Sequence, residues 1–490
     1  MTEQEGTAQG GTPRADDRAA PSGTAPYPAG YRSHASVYRE KRTEQSGDHV
    51  FCSGTAAGAA PLIGHLPQLV TDPWTFLTSL PAYGDLVTVR IGPSRLHMVC
   101  DPGLLHQVLV DDRTFDKGGP LFDKAREVLG DGLPACPHAR HRRLRRLVQP
   151  AFHPGRMPGY ARLMSEQIAH VMDHWRDDQP VDALAVAHEI ATGIATSTMF
   201  STQLDAVTMA ETRRCVQIAM AGIYRRLLTP GLLERLPTPA NRSYDRARAQ
   251  LHRTVDRIVD RAGNGRGGYE DLLTILIDAG SAGPDGLTRR EMTDQVVSFF
   301  VSGITSVASA LAWALHLVTE QREIAEGLYA EADAVVGGRV AAYEDLPRLD
   351  LTRRFLTETV RLYPPGWIFT RRVSSDTRLA GRLLPAGSVL AYSPYVLHRR
   401  PDLFPRPERF DPGRWLPDRA TAVPQHAYVP FGAGPRKCIG EAFTLTQATL
   451  ALASITSRWK LSSAGGHAVR PALRATLVPR RLHLRLHRRH

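Results

Sequence analysis

Apolar and polar positions change period several times along the 490 residues. Residues 1 to about 57 hold Gly, Pro, Ala, Thr and charge without sustained periodicity, and read as a loosely ordered leader. The folded body is expected over 58–490, opening at Pro61-Leu62-Ile63-Gly64-His65-Leu66-Pro67. Two strand-like runs, 86–91 and 96–100, flank Gly92-Pro93-Ser94 and predict a β-hairpin. From there to about residue 362 the period is mostly helical, broken by Pro-rich stretches at 134–137, 229–239 and 364–365. Residues 366–417 predict strands and loops, and a last helix is expected just after Cys438. The run from Arg480 to His487 alternates polar and apolar, the period of a half-buried strand. The fold class is mainly α with a smaller β portion, in a single large domain.

The stretch 298–318 contains no Asp, Glu, Lys or Arg and is long enough to span a bilayer. It also carries Ser298, Ser302, Gly303, Thr305, Ser306, Ser309 and His316, and stands alone in mid-chain. It is expected to be the buried central helix of a large soluble protein, with no membrane span.

Composition narrows the picture further. Hydrophobic residues at 42% and charged residues at 22% exclude a largely disordered chain. The net charge of +12 is concentrated at the C-terminus, where residues 470–490 hold seven arginines and no acid. The strand period there explains the run without nucleic acid. The cationic side is almost entirely arginine, a bias of GC-rich bacterial genomes. Five scattered cysteines form neither a disulfide framework nor a Cys-x-x-Cys pair. With no apolar signal core at the N-terminus, the expected location is the reducing cytoplasm.

The sharpest chemical signal is Phe431-Gly432-Ala433-Gly434-Pro435-Arg436-Lys437-Cys438-Ile439-Gly440. Glycines around a cysteine permit a tight turn and close approach of a flat ligand to the backbone. Amides aimed at the sulfur, with an arginine beside it, favour thiolate over thiol. Such a thiolate serves as a nucleophile or as an axial haem ligand; a cysteine in a Gly-rich loop can equally be structural.

The full spacing Phe-x-x-Gly-x-Arg-x-Cys-x-Gly resembles the haem-binding loop of the cytochrome P450 family. Three further motifs follow the family order. Glu358-Thr359-Val360-Arg361 puts an acid and an arginine on one helical face, and Phe404 to Phe410 lies downstream. The resemblance implies that Glu358, Arg361 and Arg409 form a structural triad. His141-x-x-x-Arg145 resembles the segment that reaches the haem propionates, and Arg371 matches another propionate arginine; a guanidinium fork suits carboxylates. The resemblance covers about residues 58–480. It implies haem b as cofactor, Cys438 as axial ligand of its iron, and Phe431, Gly434, Arg436 and Gly440 as further cofactor contacts.

The family usually reads Ala-Gly-x-(acid)-Thr on its oxygen-activating helix, and this chain reads Ser302-Gly303-Ile304-Thr305-Ser306. Gly303 keeps room for O2, but Thr305 stands in the carboxylate place and Ser306 in the threonine place. A serine hydroxyl both donates and accepts, so Ser306 can relay protons; Thr305 cannot supply one near neutral pH. Read without the neighbouring motifs, these hydroxyls simply bond back to helix carbonyls.

By the same resemblance, the substrate pocket draws on residues about 113–130, 299–306, 366–370 and 474–477. Phe299, Ile304, Trp367, Ile368 and Phe369, with Ser302, offer an apolar wall without charge, suited to a terpenoid skeleton held by shape. No Gly-x-Gly-x-x-Gly follows a strand, so electrons are expected from ferredoxin and a NAD(P)H-dependent ferredoxin reductase. Arg140, Arg142, Arg143, Arg146, Arg436 and Lys437 are expected to steer that acidic partner. The leading expectation is a haem-thiolate monooxygenase of secondary metabolism that uses O2. The alternatives are a peroxide-driven or non-oxidative enzyme (isomerase or dehydratase) on the same fold, a hydroxylase of fatty acids or polyketides, and a haem protein that only binds ligands.

Overall fold

The helix expected at the centre of the chain organises the whole molecule. In this computed structural model, residues 50–489 are described except 201–205, 230, 235, 265–270, 281–282, 284–285, 466–467 and 473. Most of the expected leader, residues 1–49, lies outside them. The sheet nevertheless begins inside the expected leader, because Ser53–Thr55 (β1) pairs in parallel with the first hairpin strand.

Nine helices carry the argument: α1 (Pro120–Leu129), α2 (His138–Val148), α3 (Met157–Met172), α4 (Ala183–Met199), α5 (Ala206–Leu228), α6 (Pro239–Asn264), α7 (Arg289–Glu320), α8 (Asp350–Leu362) and α9 (Glu441–Arg458). A capping box starts α7: Thr288 Oγ1 accepts from the Glu291 amide at 3.2 Å, and Glu291 Oε2 accepts from the Thr288 amide at 3.0 Å. Its apolar length is surrounded by α4, α6, α8 and α9. It is the one helix among the described residues long and apolar enough to cross a membrane, and 78% of its most apolar window is buried inside the protein. Burial on nearly every face explains its low polarity.

The predicted hairpin is present as β2 (Leu86–Ile91) and β3 (Ser94–Val99), turning at Gly92 with φ +58°. Further strands are β4 (Phe115–Asp116), β5 (Gln179–Asp182), β6 (Phe369–Val373), β7 (Thr377–Leu379), β8 (Arg382–Leu384), β9 (Val389–Tyr392), β10 (Trp459–Ser463), β11 (Pro471–Ala472), β12 (Val478–Pro479) and β13 (His483–Arg488). A six-stranded sheet runs β1-β2-β3-β9-β6-β4, while β10-β13-β5 form a second sheet and β7-β8 and β11-β12 two small ribbons. The alternating basic run therefore is a strand. Leu484 and Leu486 face the core, and Arg485 pairs with Asp178 at 2.9 Å.

Candidate functional site

One cavity joins the cysteine loop, α7 and the end of β6. Phe299, Ser302, Gly303, Ser306 and Ala310 of α7 all line it, at spacings that place them on one helical face. A Cβ built on Gly303 would meet nothing within 4 Å, so the helix stands clear of other atoms there. Thr305 Oγ1 donates to Val301 O at 2.9 Å and Ser306 Oγ to Ser302 O at 2.7 Å, so both hydroxyls bond back into the helix.

The cysteine loop is held by its own backbone. The Cys438 amide donates to Phe431 O at 2.9 Å, and Gly434–Arg436 form a 3-10 turn. Gly434 has φ +66°, and a Cβ there would lie 2.2 Å from Leu109 O, which only glycine avoids. Cys438 is deep in the protein, yet its side chain has accessible surface because it looks into the cavity. Burial raises the thiol pKa, while the Gly440 amide, Lys117 and Arg145 favour the thiolate and Glu441 opposes it. Phe431 and Gly440 line the same space.

Basic side chains ring the cavity, Arg371 and Arg145 as cations and His141 as a neutral imidazole. Arg371 is 3% exposed and has no carboxylate partner among the described residues; it donates to Thr370 O at 2.9 Å and lies against Phe122 and Tyr392. Arg145 donates to Lys437 O at 2.7 Å. His141 is buried, and burial with Arg436 and Lys117 nearby pushes its pKa down to about 3. Lys117, absent from the sequence expectations, also lines the cavity and donates to Pro134 O at 2.8 Å. Burial and then Arg371 and Arg436 push its pKa down to about 7. Its setting of Asp116-Lys117-Gly118 reads as an exposed turn, which hid it; its one clue is that lysine is rare in this chain. Buried cations without anions require an anionic ligand. A flat dicarboxylate whose metal accepts a thiolate, which is the chemistry of haem, fits this donor set.

Several expectations need correction. Arg436 lines the cavity but already pairs with Asp112 at 3.0 Å and Asp116 at 2.6 Å. It anchors the loop, and being 6% exposed it offers no docking surface. Arg143 is likewise bonded to Glu291 and to Gly286 O, whereas Arg142 and Arg146 are exposed beside Arg145. The third arginine at Glu358 is Arg414, not Arg409. Arg361 meets Glu358 twice at 2.8 Å and Arg414 Nε lies 3.5 Å away, while exposed Arg409 supplies only its carbonyl to Arg361. The turn Arg406–Arg409 sends the Arg409 side chain outward, and the 3-10 turn Pro412–Trp415 brings Arg414 and Trp415 onto α8.

On the substrate side, Phe299, Ser302 and Phe369 line the cavity as expected. Ile304 does not: it is fully buried on a core face of α7. Trp367 donates to Arg474 O at 2.9 Å and packs edge-on against Trp74, and Ile368 joins the same cluster. Trp367 is core beside the sheet, and Ile368 is partly buried against it; neither lines the cavity. Met199 of α4, Met220 of α5 and Leu272 supply wall that the sequence did not place; nothing in a helical period says which core residues border a void.

The family model for cytochrome P450 matches residues 56–484. The chain is 44% identical over 416 residues to a cyclooctat-9-en-7-ol 5-monooxygenase of Streptomyces melanosporofaciens, covering 84% of this chain and 90% of that one. It is 42% identical to a cyclooctatin synthase of the same organism (90% and 97%) and 40% identical to a pentalenene oxygenase of Streptomyces avermitilis (89% and 98%). A crystal structure of the cytochrome P450DA haem domain shares the fold at TM-score 0.80 and 24% identity, covering 90% of this chain and 99% of that one. The chain therefore belongs to the cytochrome P450 family and is a haem-thiolate monooxygenase.

Proposed function

We propose that this monooxygenase inserts one oxygen atom from O2 into a terpenoid of secondary metabolism, with electrons from ferredoxin. The observation that carries the reading is one cavity with Cys438 on one wall and Gly303 and Ser306 on another. Its substrate side is built from Phe299, Phe369, Met199, Met220 and Leu272, a surface that holds a carbon skeleton by shape. The relatives named for cyclooctat-9-en-7-ol and pentalenene support the same substrate class.

Bound haem supplies the activation of O2 at a thiolate-ligated iron. The chain's own residues do the rest. Cys438 is the ligand, with its sulfur charge favoured by the Gly440 amide. Arg145, Arg371, His141 and Lys117 would take the propionates, while Phe431 and Arg436 border the cavity and Gly434, which does not line it and packs against Leu109 O, shapes the loop's turn. Gly303 leaves room for O2. Ser306 passes protons once its hydroxyl turns away from Ser302 O. Thr305, tied to Val301 O, has no ionisable proton to offer, so solvent or the substrate must feed Ser306.

Members of the family need redox partners. The exposed Arg142 and Arg146 beside Arg145 favour an acidic ferredoxin, itself served by a NAD(P)H-dependent reductase. The lack of any disulfide among the described cysteines and the burial of α7 support a cytoplasmic location.

Turnover with isotopically heavy O2, ferredoxin, reductase and NAD(P)H tests the reading. Product carrying one heavy oxygen supports it; product with oxygen from water, or formed without O2, refutes it. The missing acid at Thr305 favours one other reading, use of hydrogen peroxide in place of O2 and electrons, which the same assay detects when peroxide alone sustains turnover.

A further inference from the structure

The stretch of α7 that borders the cavity presents five hydroxyls, and four of them are already used. Ser298 Oγ donates to Leu129 O at 3.0 Å, and Ser309 Oγ to Leu477 O at 2.6 Å. Thr305 and Ser306 bond back to Val301 O and Ser302 O. On α4 the cavity-lining Thr198 is spent in the same way, on Ile194 O at 2.7 Å. Ser302 is the exception. Its hydroxyl has no hydrogen-bond partner among the described residues, although Ser298 O is within one helical turn.

Position makes the free hydroxyl informative. Ser302 is half-buried, borders the cavity, and stands between Phe299 and the open space at Gly303. The surrounding substrate wall is largely apolar, and a polar group left free on such a wall is what orients a ligand. A hydroxyl facing a cavity unpaired loses its water when an apolar ligand fills the space, and that loss is avoided only if the ligand supplies a partner.

We infer that Ser302 is a specificity-determining residue that hydrogen-bonds an oxygen function already present on the substrate. The preferred substrate is then a terpenoid alcohol or ketone rather than a hydrocarbon. This inference rests on the terpenoid reading above and decides between its two branches, since one relative is named for an alcohol and another for an alkene. A substrate oxygen held at Ser302 also lies one turn from Ser306 on the same helical face, where it can help feed the proton path that lacks an acid at Thr305.

Among the described residues Thr476 and Thr444 also line the cavity without a hydrogen bond from their hydroxyls, as does Gln447 with its Nε2 unpartnered; Thr444 and Gln447 lie on α9 behind the cysteine loop, so Thr476 is the rival on the substrate side. The test is a cycle of two ligands and three proteins. The wild-type haem protein, Ser302→Ala and Thr476→Val are titrated optically with a cyclic terpene hydrocarbon and with its monohydroxylated counterpart, after each variant's haem content is confirmed. Wild type should bind the alcohol about ten-fold more tightly, the size of one net hydrogen bond. Ser302→Ala should erase that preference while changing hydrocarbon affinity less than about two-fold. Equal affinity for both ligands in wild type overturns the inference and leaves the terpenoid reading standing. A preference that survives in Ser302→Ala, or is lost only in Thr476→Val, also overturns it. Failure of both ligands to bind wild type refutes the terpenoid reading itself, and this inference with it.

Discussion

Glu358 has no exposed surface, and Arg361, Arg414, Trp415 and the Asp411 amide all converge on it. Arg361 still compensates Glu358 when Arg414 is removed, but losing one hydrogen-bonding partner of a buried charge costs about 1.5–3 kcal/mol. Arg414→Ala should therefore destabilise on that scale, whereas Arg409→Ala, on an exposed side chain, should stay within about 0.5 kcal/mol. Denaturant unfolding of the two variants checks this directly. The Glu-x-x-Arg pair was legible because residues three apart on a helix share a face. Its partner was not: Arg406, Arg409 and Arg414 all follow prolines in one loop, and only the folded turn shows which points inward. At Ser306 the expected outcome is catalytic. Ser306→Ala should lower the product formed per NAD(P)H consumed, with hydrogen peroxide rising in its place, and unchanged coupling would remove Ser306 from the proton path.

At the scale of elements, an ionic clamp ties together helices that border the cavity. Glu127 of α1 binds Arg226 of α5 at 3.0 Å and Tyr244 of α6 at 3.2 Å, while Arg226 stacks on Tyr244 with its guanidinium 4.1 Å from the ring centroid. Lys124 on the next turn of α1 joins Glu234. These same helices carry Phe122 and Met220 to the cavity wall, so separating them opens the site. Glu127→Gln should speed ligand release about five-fold, the worth of about 1 kcal/mol for a partly exposed pair. The wild-type release rate should also rise with salt more than the variant's. Stopped-flow dissociation measures both. Strands and long helices were legible from period alone, since β2, β3, α7 and β13 each keep one. The clamp was not, because Glu127 lies 99 residues from Arg226 and 117 from Tyr244 in the chain.

The whole molecule carries a pH dependence in its buried histidines. Burial pushes His398 down to about 3, and His188 and His316 to about 4. His398 is fixed as the neutral tautomer: Nδ1 donates to Arg361 O at 3.0 Å and Nε2 accepts from the Val429 amide at 3.0 Å. Unfolded imidazoles take up protons near the ordinary value of about 6.5, the folded ones only near 3–4. The unfolded chain thus binds more protons across that window, and stability is full above about pH 6.5 and falls as pH drops towards 4. Thermal unfolding should show a lower midpoint at pH 5 than at pH 7, and a rising midpoint on acidification would contradict it. The basic C-terminus is partly paired within the fold, Arg485 with Asp178 and Arg489 with Asp333.

The central claim is that Cys438 holds the haem iron as a thiolate, with the loop, the cations and the open face of α7 arranged around that bond. The most direct measurement is the spectrum of the reduced, carbon monoxide-bound protein, wild type against Cys438→Ala. The account predicts the red-shifted Soret band of thiolate ligation in wild type and its loss in the variant. A wild-type spectrum without that band, or a Cys438→Ala protein that keeps it, would contradict the account.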